Sequence, residues 1–159
     1  MERLEIIETL KHFPDRLEAA LAGVPDNVLS ARPGEEDWSI KEVLGHLVYA
    51  EEIWYRRLYQ VWSLHDPVLM TFDSQAVQAS IERAYEASDL SSYIAEIREK
   101  RPRIVMLLVR AVDWTRTGQW RGEGRRSLKQ LAEALLAHDA DHLQQIEACK
   151  AAAGSSVAS

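Results

Sequence analysis

Cysteine is scarce in this chain of 159 residues: Cys149 is the only one, so no disulfide can form within the chain. Cys149 falls on the apolar stripe of the last helical segment, where a small core residue is more common than a reactive thiol. A lone cysteine fits a reducing compartment, and residues 1–5 lack the basic and apolar regions of a secretion signal. We therefore expect a cytoplasmic protein.

Long apolar runs and an excess of basic residues are also absent. No stretch approaches the roughly 20 apolar residues of a membrane-spanning helix. The formal net charge of −6 argues against nucleic acid or an anionic membrane as a partner. Because the length suits one globular domain, we predict a single domain at residues 1–152 and a disordered tail at residues 153–159.

Glycine and proline are few, and they cluster between long segments in which apolar residues recur every three or four positions. This pattern predicts an all-α protein, built as a four-helix bundle. The predicted helices span residues 2–22, 39–62, 89–112 and 127–152. Pro14 removes one backbone hydrogen bond from the first of them, which predicts a kink or a break near Lys11.

Capping residues mark where two of the helices begin. Ser39 and Glu42 have the spacing of a capping box, and a second box is predicted at the start of the last helix. The second box pairs Ser127 with Gln130. These two helix starts are the sharpest boundaries that the sequence predicts.

The segments between the helices are predicted as connections. They cover residues 26–37, 63–88 and 113–126. Residues 74–87 are compatible with a short helix, but Asp66 and Pro67 before them favour a loop. At about 25 residues, the second connection is longer than an antiparallel helix pair needs, so it permits a crossover and a parallel arrangement of the second and third helices.

Histidines replace apolar residues on the inner faces of two predicted helices. The inward positions of the last helix are Leu128, Leu131, Leu135, His138, His142, Ile146 and Cys149. His46 takes an inward position on the second helix. His12 and His65 fall on an edge and in a connection, where we expect no special role.

A shared metal ion would explain the three inward imidazoles. His138 and His142 stand at i and i+4, which presents both rings to one cation, and His46 joins them if the two helices are neighbours. Neutral imidazoles suit zinc, nickel, iron or copper rather than calcium or magnesium. Three protein ligands leave a position for water or substrate, as in a catalytic site. The alternative is three core histidines hydrogen-bonded to Tyr49, Glu42 or the backbone.

Polar residues near the histidines are candidates for a supporting or catalytic role. On a helical wheel Gln145 lies about 20° and Asp141 about 60° from His138, so either could orient a ligand, and Asp141 could act as a base. Glu42 lies one turn before His46, although the capping box is its favoured role. Asp141 and Glu42 are therefore weak candidates for catalytic residues.

Two motifs resemble those of the DinB/YfiT-like superfamily. Residues 38–47, WSIKEVLGHL, resemble its W-S-x-x-E-V-L-x-H-L segment, and residues 127–142 resemble its closing helix with an H-x-x-x-H pair. The resemblance implies a metal-binding four-helix bundle in up-down-down-up order. It also implies that His46, His138 and His142 are the metal ligands. Characterised relatives include thiol S-transferases that use bacillithiol or similar thiols, and a mycothiol-dependent maleylpyruvate isomerase.

The leading hypothesis is a metal-dependent enzyme with zinc, nickel or iron as its cofactor. It would activate a thiol or a water against a small-molecule substrate, as an S-transferase or a hydrolase. The carboxylates of a low-molecular-weight thiol could be bound by arginines of the last connection. Those arginines are Arg116, Arg121, Arg125 and Arg126.

Two other functions are compatible with the sequence. The rival is a non-catalytic metal-binding or stress-response bundle whose fold the ion stabilises. The other is an interaction module in which exposed aromatic residues around Trp54 and Trp62 form the face of a homodimer. A homodimer is compatible with either of the other functions.

Overall fold

Helices dominate the structure, as the sequence predicts. The computed structural model describes residues 1–87 and 89–157. Its elements in chain order are α1 (Arg3–Lys11), α2 (Phe13–Leu21), α3 (Asp26–Ser30), α4 (Ile40–Ser63), α5 (Ser74–Glu86), α6 (Ser91–Arg110), β1 (Thr117–Trp120), β2 (Gly124–Ser127) and α7 (Leu128–Val157). No helix within the described residues is long and apolar enough to cross a membrane.

The predicted first helix is divided into α1 and α2. The break lies at His12, which has φ −90° and ψ 1°, and Pro14 occupies the first turn of α2. A proline is tolerated at that position because the first backbone N–H groups of a helix have no partner within it. The predicted break near Lys11 is confirmed.

Helix α4 is the central helix, and it packs against α5, α6 and α7. It begins at the predicted capping box: the Glu42 N–H donates to Ser39 Oγ at 3.2 Å, and the Ser39 N–H donates to Glu42 Oε2 at 2.7 Å. The second predicted box is also present at the start of α7, between Ser127 and Gln130. Both capping boxes are therefore confirmed.

Two clusters of buried apolar side chains fill the space between the helices. One contains Trp54 of α4 and Leu135 of α7, and the other contains Leu47 of α4 and Ile146 of α7. His138 and His142 lie between these limits on α7, and His46 lies beside Leu47 on α4. The three rings contact one another where the clusters meet.

Two predicted connections contain helices. Residues 26–30 form α3, and residues 74–86 form α5, where a loop is favoured by the sequence. Asp73 explains the second difference, because its side chain accepts from the N–H groups of Gln75 and Ala76 at 2.9 and 3.2 Å and caps the helix. The loop signal of Asp66 and Pro67 therefore applies only to the residues before Asp73.

The predicted loop at residues 113–126 contains a β-hairpin, so the all-α prediction is wrong here. Strands β1 and β2 pair antiparallel, with Thr117 opposite Ser127 and Trp120 opposite Gly124. Gly124 has a φ of +78°, a conformation that glycine adopts without strain. The hairpin also binds the connection after α4, because the Leu69 N–H donates to the Gln119 carbonyl at 2.9 Å.

Helix α7 is longer than predicted. It runs to Val157, so the part of the predicted disordered tail from residue 153 to residue 157 is helical. Residues 158–159 of that tail lie outside the described residues. The up-down-down-up order of the long helices stays a prediction.

Gly45 allows α4 and α5 to approach closely. A Cβ atom at this position would lie 2.5 Å from the Ser80 carbonyl oxygen and 2.9 Å from Ile81 Cα. Because both atoms belong to the backbone, we expect Gly45→Ala to destabilise the protein by about 1–3 kcal/mol in urea unfolding. Gly154→Ala is the matched control, since no atom lies within 4 Å of its added Cβ. Equal stability of the two variants would contradict this account of the α4–α5 contact.

Candidate metal centre

Three histidines from two helices converge at the boundary between the two apolar clusters. His46 Nε2 of α4 lies 3.0 Å from His138 Nε2 of α7, and His142 Nε2 lies 3.1 Å from the same atom. The ligand atoms of all three residues lie within 4.8 Å of one another. The structure thus brings together the three residues that the sequence singles out.

Hydrogen bonds between the rings do not account for this arrangement. A ring nitrogen of a neutral imidazole carries either one hydrogen or one lone pair, so His138 Nε2 can form a hydrogen bond with only one of its two neighbours. Three lone pairs can instead share one cation. Two nitrogens bound to a tetrahedral zinc lie about 3.3 Å apart, close to the spacing found here.

The alternative partners that the sequence offers are engaged elsewhere. Tyr49 Oη accepts from the Asp73 N–H at 3.2 Å. The Nδ1 atoms of His46 and His138 are enclosed and form no hydrogen bond to any part of the chain that the structure describes. The alternative of core histidines bonded to Tyr49, Glu42 or the backbone therefore lacks its hydrogen bonds at these two Nδ1 atoms.

Gln145 fixes the orientation of one ring. Its Oε1 atom accepts from His142 Nδ1 at 2.6 Å, which leaves the lone pair of His142 Nε2 directed at the other histidines. The sequence places Gln145 near His138 on the helical wheel, whereas the structure pairs it with His142, one turn away. The predicted orienting role is present, on a different histidine.

Burial keeps two of the imidazoles neutral. It is the main cause that lowers the pKa of His46 to about 3, with further contributions from His142 and His138. The pKa of His142 is lowered to about 4, again mainly by burial and then by His138. Near pH 7 both rings are unprotonated, which is the form that binds a metal ion.

Asp141 lies at the open side of the histidine cluster. It is exposed and lines a cleft of about 540 Å³ together with His138, His142 and Gln145. Its carboxylate is therefore accessible to a molecule in that cleft. A role for Asp141 as a base stays a prediction.

Glu42 lies outside the group of ligand atoms. Its Oε2 atom accepts from the Ser39 N–H and from Arg32 Nε at 3.0 Å, and its Oε1 atom accepts from Arg32 Nη2. Burial would raise the pKa of Glu42, but Arg32 and Ser39 outweigh burial and lower it. The structure therefore supports the capping role that the sequence favours.

Aromatic rings form the walls of the cluster. Phe72 stacks on His46 with ring centroids 5.4 Å apart, and Trp38 lies parallel to His142 at 6.4 Å. Trp54 packs edge-on to His138 at 5.6 Å and is 3 % exposed. A dimer face that includes Trp54 is therefore wrong, because this side chain belongs to the core.

Cys149 and most of the arginines before α7 have structural contacts. Cys149 is buried, its Sγ atom donates to the Trp38 carbonyl at 3.4 Å, and burial raises the pKa of its thiol. Arg116 donates to the Val61 carbonyl at 3.0 Å, and Arg125 pairs with Asp66 at 2.7 Å. These contacts attach the hairpin to α4 and to the connection that follows it.

A buried charge cluster lies directly behind His138, and the sequence analysis misses it. Arg101 of α6 is 1 % exposed and binds two buried carboxylates, those of Glu51 and Asp139. Its Nη1 atom lies 2.6 Å from Asp139 Oδ2, and Asp139 Oδ1 lies 3.9 Å from His138 Nδ1. Two acids share one guanidinium here, and burial raises the pKa of the Glu51 carboxyl.

The charge cluster leaves a signal in the sequence. Asp139 stands four residues after Leu135 and three before His142, and Arg101 stands four residues after Ile97. Both charged residues therefore occupy apolar stripes, in the same way as the histidines. A systematic search for charged residues at inward positions would find them.

The low pKa values of the histidines predict how stability depends on pH. An unfolded imidazole binds its proton near pH 6.5, whereas folded His46 does so only near pH 3, so the unfolded state binds more protons between these values. We expect the free energy of unfolding of EDTA-treated protein to be greatest above pH 6.5 and to fall as the pH is lowered below that value. We expect a smaller fall in His46→Gln.

Urea unfolding between pH 7.5 and pH 4 measures this dependence. His65→Gln is the control, because it removes an exposed histidine that lies outside the buried cluster. If His46→Gln loses stability on acidification as steeply as the unsubstituted protein does, burial of His46 does not set this dependence.

The charge cluster predicts a large effect of removing its cation. Arg101→Met leaves Glu51 and Asp139 buried without a positive partner, so we expect a loss of about 3–5 kcal/mol in the free energy of unfolding. Arg98→Met is the matched control on the same helix, since Arg98 forms exposed ion pairs with Asp15 and Glu18 and should matter little. Similar losses for the two variants would contradict the importance of the buried cluster.

A solved structure has a similar fold. The fold is similar to that of YfiT from Bacillus subtilis, which is described as a probable metal-dependent hydrolase with an unusual four-helix bundle topology. The match has a TM-score of 0.86 at 19 % sequence identity, and it covers 96 % of this chain and 88 % of YfiT. At this identity the likeness establishes the fold alone.

Sequence comparisons add the family. No curated protein sequence matches this chain. The sequence model of the DinB superfamily matches residues 9–146, which include all three clustered histidines. This chain therefore belongs to the DinB superfamily.

Proposed function

We propose that this protein is a divalent-metal-dependent enzyme that acts on a small molecule, with His46, His138 and His142 as its metal ligands. The observation that carries the proposal is the approach of three Nε2 atoms, at 3.0 and 3.1 Å, in a buried place where hydrogen bonds cannot satisfy them. Membership in the DinB superfamily and the description of YfiT support it. Nitrogen donors alone favour zinc, nickel or iron.

The chain's own residues divide the remaining tasks. A bound divalent cation supplies Lewis acidity, which makes a water or a thiol nucleophilic near neutral pH. Gln145 holds His142 in the orientation that binds the cation, and Asp141 can accept a proton at the cleft. Cys149 is enclosed and donates to the Trp38 carbonyl, so the nucleophile comes from solvent or from a cosubstrate.

Hydrolysis is the first reaction to test, and thiol transfer is the second. The description of YfiT as a probable metal-dependent hydrolase and the exposed carboxylate of Asp141 favour hydrolysis. Transfer of a low-molecular-weight thiol fits the same site, because it requires no nucleophile from the protein. A non-catalytic metal-binding or stress-response protein is the alternative.

Homodimer formation and a cytoplasmic location belong to the same proposal. With Trp54 in the core, the aromatic residues left for a dimer face are Tyr59 and Trp62, which are 45 % and 37 % exposed. Their rings pack together with centroids 5.7 Å apart and give α4 an apolar outer patch. A homodimer would use this patch.

Metal analysis and activity assays test the proposal together. We expect about one divalent ion per chain in the unsubstituted protein, and loss of the ion in His138→Ala because two nitrogens bind a metal far more weakly than three. His12→Ala, which changes an exposed histidine, should retain the ion. Turnover of an ester panel, or of a thiol with an electrophile such as monochlorobimane, should fall more than about 100-fold in His138→Ala.

The outcomes separate the hypotheses. Absence of bound metal in protein loaded with zinc, nickel or iron would overturn the proposal. Stoichiometric metal without turnover on either panel would favour the non-catalytic alternative. Turnover on only one panel identifies the reaction class.

A further inference from the structure

A second buried arginine lies on α4, and it forms no ion pair with any acid among the described residues. Arg57 is 3 % exposed, and its Nε atom donates to the Met70 carbonyl at 2.8 Å. Within residues 1–87 and 89–157, no acceptor lies within hydrogen-bond distance of its Nη1 and Nη2 atoms, and no carboxylate forms an ion pair with it. Its Nη atoms are not among the enclosed unpaired atoms of the described residues, so they keep contact with the surface, where an anion can approach them.

The contrast with Arg101 defines what Arg57 lacks. Both guanidinium groups are buried, but Arg101 binds the carboxylates of Glu51 and Asp139, and these carboxylates raise its pKa against the effect of burial. For Arg57 burial dominates and lowers the pKa, although Glu123 and Tyr49 act in the opposite direction. The folded chain thus neutralises one buried arginine and leaves the other open to an anion from outside.

Aromatic rings surround the Arg57 guanidinium. Its Cζ atom lies 5.0 Å from the ring centroid of Trp54, 4.9 Å from that of Phe72 and 4.8 Å from that of Trp120. These cation–π contacts offset part of the cost of burial. They do not accept the N–H hydrogens of Nη1 and Nη2, which lie in the plane of the guanidinium.

A second donor in the same cluster also lacks an acceptor. Trp54 Nε1 is enclosed and has no hydrogen-bond partner in the described part of the chain. Buried indole N–H groups usually find an acceptor. Two unpaired donors within one aromatic cluster create a site that favours a ligand rich in negatively charged oxygen.

This cluster borders the histidines. Trp54 contacts His138 at 5.6 Å between ring centroids, and Phe72 contacts His46 at 5.4 Å. One aromatic ring therefore separates the Arg57 guanidinium from each of these two histidines. An anionic group bound at Arg57 would therefore lie one aromatic ring away from the histidine cluster.

We propose that Arg57, with the indole N–H of Trp54, binds a carboxylate or a phosphate of the substrate. Binding of the anion follows from the surroundings of Arg57 alone, whereas its assignment to the substrate rests on the proposed function. The planar fork of an arginine binds two oxygens of such a group at once. The substrate class is accordingly a small anionic molecule.

Tryptophan fluorescence tests the site, because Trp54 and Trp120 flank the guanidinium. The probes are succinate and inorganic phosphate, with succinamide as the uncharged counterpart of succinate, titrated at constant ionic strength. We expect saturable changes with succinate, phosphate or both, and none with succinamide. The anion that binds more tightly shows whether the site prefers a carboxylate or a phosphate.

Substitutions locate the anion. We expect Arg57→Met to weaken binding of the preferred anion by about 10- to 100-fold, because a charge-assisted hydrogen bond is lost. Trp54→Phe keeps an aromatic ring but removes the donor, so we expect a weakening of about 3- to 10-fold. Arg56→Met is the matched control, since the neighbouring Arg56 is exposed and pairs with Glu52.

If Arg57→Met fails to fold, Arg57→Lys is the alternative variant. Lysine keeps the positive charge but lacks the planar pair of donors of the guanidinium, so anion binding should still weaken. Absence of anion binding in the unsubstituted protein overturns the proposal. Wild-type affinity in Arg57→Lys and in Trp54→Phe overturns it as well. The same titrations on EDTA-treated protein keep the result separate from the proposed function: anion binding without metal binding refutes only the latter.

Discussion

The meeting of His46 with His138 and His142 is the constraint on which the rest of the structure depends. The three imidazoles lie where two apolar clusters join. The closest pair, His46 and His138, is separated by 92 residues along the chain. Buried polar rings are costly unless their nitrogens have partners. The capping box at Ser39 and the close approach at Gly45 fix α4, so that His46 reaches the nitrogens of α7.

Helix periodicity and capping chemistry were readable from the sequence because they depend on neighbours along the chain. The Ser39 box, the break before Pro14 and the inward histidine stripe are of this kind, and all are present. The β-hairpin was not readable, since its four-residue strands such as Gly124–Ser127 show no alternation of apolar and polar residues. Helix α5 was missed because the loop signal before it outweighed the cap at Asp73.

The partners of the buried charged residues could not be predicted from the sequence, for a different reason. A charged residue on an apolar stripe is visible, but its partner lies on another helix, and only the packing of α4, α6 and α7 decides which acid meets which base. Arg101 meets two carboxylates, whereas Arg57 meets three aromatic rings. Two buried arginines with different surroundings therefore lie beside the histidines, one among carboxylates and one among aromatic rings.

The junction of β2 and α7 has a mechanical consequence. Strand β2 ends at Ser127 and α7 begins at Leu128, so no flexible linker separates the hairpin from the helix. Eleven residues of continuous helix, roughly 16 Å, connect Ser127 to His138. A displacement of the hairpin is thus transmitted along a stiff rod instead of being absorbed by a loop, and the same hairpin carries Trp120 over Arg57. The position of Trp120 over Arg57 and the placement of the histidine rings on α7 are therefore mechanically coupled.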